Sequence, residues 1–166
     1  MAKPGKVPIP GVVSVKKLKG DSPEDTRLLK DMAQRANEYI RSFSWCRSVA
    51  DMYFGDGIGG IIAAFLVRIQ PARPQVDEWL WVIVGDIPPA YLVLDRSPSG
   101  LDALRTYIAE ISRWVRYAKT GGRIPEDVIP VNVPATPEWA DKLDDRLRVL
   151  QTQVLPELLA ARNFPN

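Results

Sequence analysis

DEWLWVIVGDIPPAYLVLD, residues 77–95, decides the fold, because β-branched, aromatic and aliphatic residues are denser here than anywhere else in the chain. Two pieces of it, 79–84 and 90–94, have the length and composition of buried strands. Gly85, Asp86, Ile87, Pro88 and Pro89 lie between them. They cannot continue a ladder, since proline lacks the N–H and has a fixed φ, so the chain must turn there.

Upstream, 49–54 and 61–69 have the same strand composition and are separated by GDGIGG, residues 55–60. Glycine and Asp-Gly supply the positive φ of tight turns, so a hairpin is expected across this segment. The Ala63–Ala64 centre of the second piece permits a helix, but Pro71 and Pro74 follow too closely for a useful one, and strand is the better reading. Four strands with short connections make antiparallel neighbours, a meander over about 47–95. Val12, Val13, Ser14 and Val15 form one more strand-like piece that can pair with an outer strand.

Three amphipathic helices flank this region. Ser22, Pro23, Glu24 and Asp25 form a helix start, and an apolar face from Leu28 to Phe43 recurs at three- and four-residue steps. A second helix over 100–119 carries Leu101, Leu104, Ile108, Ile111 and Val115 and stops at Gly121-Gly122. A third starts at Thr136-Pro137 and is expected to bend or end near Pro156, giving 137–155. Between the last two, residues 124–137 contain four prolines and should run extended, pressing Val128, Ile129, Val131 and Val133 on the body. The fold class is therefore α+β: a four-stranded antiparallel meander covered by an N-terminal helix over 23–43 and two C-terminal helices. Residues 1–20 read as a basic, Pro/Lys-rich tail, and 21–166 as a single domain.

Composition narrows the chemistry. The chain has 166 residues, 46% hydrophobic and 25% charged, which is the ordinary globular balance. Its net charge is +2, while Lys3, Lys6, Lys16, Lys17 and Lys19 place +5 on the first twenty residues, leaving −3 on the rest. A mildly acidic body does not suit phosphate tracking, so no nucleic-acid partner is expected. No apolar run approaches the roughly 20 residues of a membrane span, and a cytoplasmic protein without a membrane partner is expected. Cys46 is the single cysteine and there is no histidine. An intrachain disulfide, cysteine zinc sites and histidine-based triads are thereby excluded, and no metal or cofactor is expected.

Carboxylates are the catalytic groups that remain. Asp51, Asp56, Asp77, Glu78, Asp86 and Asp95 stand at strand ends and turns, and Asp86 and Asp56 are the candidates for an acid/base or ligand-binding role. Acids at turns more commonly cap and solubilise. Trp79, Trp81 and Tyr91 are the candidate floor of a small-molecule pocket between sheet and helix. Gly55, Gly57 and Gly60 satisfy the dinucleotide-binding spacing, but that motif needs a crossover helix where Pro71 and Pro74 stand. Cys46 beside Arg47 reads as inert packing.

The runs WLWVIVGDIPPAYLVLD and IPVNVPATPEWADKLDDRL, with the helix between them, resemble stretches of small uncharacterised bacterial proteins that have no assigned activity. The resemblance covers residues 75 to 160 and implies a bacterial accessory protein, with no catalytic residue carried over. The expected function is a non-catalytic protein–protein interaction or accessory module, of an immunity or assembly type. It would dock another protein, a second copy of the chain included, through an exposed sheet edge or through residues 124–137. The alternative is a small-ligand binder or carboxylate-based enzyme.

Overall fold

The structure, a computed structural model, describes residues 6–163, with side chains to Ala161. Its sheet has five strands in chain order: β1 (Val13–Ser14), β2 (Cys46–Ile58), β3 (Ile62–Pro71), β4 (Trp79–Gly85) and β5 (Ala90–Leu92). Every pair of neighbours is antiparallel, so the four-stranded meander is present and has gained a fifth member at its first edge. Val13 stands opposite Phe54 and Ser14 opposite Tyr53. The segment from Lys6 onward is thus built into the domain rather than hanging from it, with Ile9 and Leu18 both buried. Residues 1–5 of the expected tail lie outside the described residues.

Helix α1 (Pro23–Arg41) covers one face of the sheet and α2 (Gly100–Lys119) the other. Side chains alternate along a strand. On β3, Ala63, Phe65, Val67 and Ile69 join the α1 cluster, while Ile62, Ala64 and Leu66 join the α2 cluster. On β4, Leu80, Val82 and Val84 meet α1, and Trp81 and Ile83 meet α2. A strand buried on both faces has no polar side, which is why residues 79–84 show no alternation. Helix α3 (Pro137–Val149) packs chiefly on α2, adding a further layer on that side.

Each helix start is built as its sequence suggests. Ser22 accepts the Asp25 N–H at 3.0 Å, Ser99 accepts that of Asp102 at 3.1 Å, and Thr136 accepts that of Trp139 at 3.3 Å. Helix α1 is also tied to two turns of the sheet. Asp25 accepts the Gly59 N–H at 2.9 Å, and Arg35 donates to the Gly85 carbonyl at 3.0 Å.

Two expectations need correction. Residues 55–58 are not a turn: β2 continues through them to Ile58, and only Gly59, Gly60 and Ile61 reverse the chain, with Gly60 at φ +80°. Because β2 and β3 are antiparallel across these glycines, there is no crossover helix, and the dinucleotide motif is a coincidence of spacing. The glycine at position 55 serves packing. A Cβ on Gly55 would lie 2.6 Å from the Trp81 ring, and one on Gly100 would lie 2.6 Å from the Gly55 carbonyl carbon, so strand and helix start meet backbone to backbone.

The last helix also continues past Pro156. A π turn (Leu150–Val154) links α3 to α4 (Leu155–Asn163), and the Leu155 N–H bonds to the Leu150 carbonyl. Proline's ring collides with the carbonyl four residues back in a regular α-helix, and the wider π turn gives it room. Residues 124–137 run along the body as expected, with Val128 buried and Ile129, Val131 and Val133 packed on the α2 cluster.

Gly100→Ala should lower stability by about 1–3 kcal/mol through overpacking against Gly55, read as a reduced urea midpoint. An unchanged or raised midpoint would show that the two backbones do not touch.

Candidate functional site

The five residues singled out from the sequence do not converge. Asp86 sits at the β4–β5 turn with its side chain 74% exposed, 3.3 Å from Arg146 of α3. Hollows of 380 Å³ and 340 Å³ flank that pair, and Ile61, Trp139 and Val149 leave apolar surface around them. Asp56 lies within β2 and accepts the Gly57 N–H at 2.9 Å. Trp81 is fully buried and donates its indole N–H to the Ser97 carbonyl at 2.8 Å, so its polar atom is spent inside the core. Trp79 shares that face and stands 6.1 Å from Tyr53, with Arg68 as its ladder partner.

Tyr91 is on the opposite face. Its ladder partner is Val82, whereas Trp81 is opposite Leu92. Its ring joins an aromatic group at the end of α1: 5.2 Å from Phe43 and 5.1 Å from Trp45, which stack on each other at 4.9 Å. Trp79, Trp81 and Tyr91 therefore form no common floor. Cys46 is buried beside the Ser48 carbonyl, and burial raises its thiol pKa against a smaller opposing pull from Arg41. Among the described residues, no group of three or more His, Cys, Asp or Glu side chains is placed to hold a metal ion.

A larger concavity lies elsewhere, at the last strand. A groove of 640 Å³ runs between β5 and the extended segment, bounded by Tyr91, Leu92 and Val93 on one side and by residues 126–130 on the other. Thr106, Glu110 and Arg113, at helical spacing on α2, complete it. What β5 presents to this groove follows from the ladder. The Asp86 N–H donates to the Ile61 carbonyl at 3.0 Å and the Ile69 N–H to the Glu78 carbonyl at 2.8 Å. Antiparallel bonding alternates, so Leu80, Val82 and Val84 bond to β3, and Trp81 and Ile83 bond to β5. Their partners Leu92 and Ala90 point their backbone inward. The N–H and C=O of Tyr91 and the N–H of Val93 then face out of the sheet, where β5 has no neighbour among the described residues.

The groove also carries charge. Arg113 bridges Glu110 at 3.5 Å and Asp127 at 2.8 Å, while Asp95 and Glu126 have no ionic partner among the described residues. The Arg113 guanidinium holds the Asp127 carboxyl below its usual value, mainly through their hydrogen bond. No helix among the described residues is long and apolar enough to cross a membrane. Compared with protein-family models, curated proteins and solved structures, the chain matches none.

Sequence reasoning missed Val93, Glu110, Glu126 and Asp127, which come together only through the fold. The partial signals were Asp95, named among the strand-end acids, and the proline-rich segment itself.

Burial raises Tyr39 to about 12, with a smaller contribution from Tyr91. Burial also raises Tyr107, whose hydroxyl donates to the Pro88 carbonyl at 2.6 Å. The folded chain holds these protons more tightly than the unfolded one, so their contribution is intact below pH 10 and is lost as pH rises through 12 for Tyr39. The urea midpoint should fall between about pH 10 and 12, and Tyr39→Phe should lessen the fall. An equal fall in the variant would contradict the assignment.

Proposed function

We propose that this chain is a non-catalytic protein-interaction module that takes an extended segment of a partner protein as an added strand on β5. The single observation behind this reading is the edge of β5, which has no neighbour among the described residues and whose outward backbone groups at Tyr91 and Val93 lie beside a 640 Å³ groove lined on its other side by residues 126–130. An added strand gains main-chain hydrogen bonds from such an edge and specificity from side-chain pockets beside it. Native sheets usually blunt or cover a long edge. Here β5 spans three residues, and residues 126–130 line the far side of the groove beside it. The same surface offers a catalytic reading less: Asp86 is exposed at a separate turn, and Asp56 accepts a backbone N–H inside β2.

Val93→Pro tests this reading with little cost to the fold. Val93 has φ −75° and ψ 157°, which suits proline, and the substitution removes one outward N–H. Proteins retained from a native lysate by immobilised wild-type and Val93→Pro chains are compared by quantitative mass spectrometry. At least one retained protein should fall about tenfold or more with the variant, the equivalent of losing one main-chain hydrogen bond that a docked strand needs, while both chains unfold at the same urea concentration. Identical retained sets would contradict docking at β5.

A further inference from the structure

We infer that the segment received at β5 is basic, with lysine or arginine at alternate positions facing α2 and apolar residues at the positions between. This rests on the docking reading above and adds the chemistry of the partner. Two observations on opposite faces of β5 carry it. On the α2 face, four carboxylates line the groove (Asp95, Glu110, Glu126 and Asp127) against two guanidinium groups (Arg96 and Arg113), a formal balance of −2. Arg113 is already engaged by two of the acids, and Asp95 and Glu126, which have no ionic partner among the described residues, outnumber Arg96, which likewise has none. On the α1 face, the half-buried rings of Phe43, Trp45 and Tyr91 form an apolar, π-rich surface beside the same strand.

A strand docked on β5 continues its pleat, so its side chains alternate between these two surfaces. Those on one side meet carboxylates, and those on the other meet aromatic rings. Charge complementarity of this kind sets orientation and raises the association rate, and it weakens with salt because the acids are exposed. An acidic segment would meet like charge on the α2 side and lose the competition.

The test uses three fluorescein-labelled octapeptides that alternate valine with lysine, glutamine or glutamate, titrated against the full chain by anisotropy in low salt. The lysine peptide should bind at least tenfold tighter than the glutamine peptide, with the glutamate peptide weakest. Amide resonances of residues 91–95 and 126–130 should shift on binding. The double variant Asp95→Lys/Glu126→Lys, at two exposed positions, should remove the lysine preference without lowering the urea midpoint, and Val93→Pro should weaken all three peptides alike.

Equal affinity for the three peptides, with shifts at residues 91–95, would overturn the inference about charge while leaving docking at β5 in place. Shifts confined to residues around Asp86 and Arg146, or none for any peptide, would overturn both. Concentration-dependent dimerisation abolished by Val93→Pro would assign the edge to a second copy and likewise overturn a foreign basic segment as its occupant.

Discussion

Burial of β3 and β4 on both faces is the constraint on which the rest of the structure depends. Ten of their residues, from Ala63 to Val67 and from Leu80 to Val84, are at most 3% exposed. Each strand then needs a helix above and another below, and α1 and α2 supply them from opposite ends of the chain. Because these two strands are central, polar backbone can remain uncovered only at the sheet's flanks. On the first flank β1 pairs with only two residues of β2. On the last, no described strand pairs with the outer edge of β5.

The same constraint explains the polar groups that hold the helices in place. Asp25 and Arg35, both on α1, reach the β2–β3 and β4–β5 turns, where the backbone leaves the ladder and has N–H and C=O groups to satisfy. Gly55 and Gly100 let α2 approach closely enough for Trp81 to be enclosed, and the Ser97 carbonyl just before α2 accepts its indole N–H. Packing and hydrogen bonding therefore fix the position of β5 relative to α2. The walls of the groove follow from that placement.

Much of this architecture was legible because apolar patterning and caps are local. Residues 79–84 announced a buried strand, Ser22 and Thr136 announced two helix starts, and the apolar stripe from Leu101 to Val115 announced the helix between them. Residues 55–58 misled because Gly55 serves a contact with α2, which is distant in sequence, and Gly57 a close approach to β3, whereas glycine in a strand and glycine in a turn look alike. The reach of the last helix was missed because a π turn can absorb Pro156, and nothing local signals that turn. The side on which Tyr91 falls was hidden for a different reason. Shifting the β4–β5 register by one residue would move Tyr91 to the face of Trp81, and the four residues between the strands do not disclose which register holds. The groove was less legible still, since its acids come from the end of β5, from α2 and from the extended segment.

Hydrogen exchange of individual backbone amides by NMR tests the free edge most directly. The amides of Ala63 to Ile69 and Leu80 to Val84 should be the slowest, and within the last strand Leu92 should exchange measurably more slowly than Tyr91 and Val93 on either side of it. Equal protection of Tyr91, Leu92 and Val93 would mean that the edge is already covered, and a fast Leu92 between protected neighbours would mean that the strand sits in the other register.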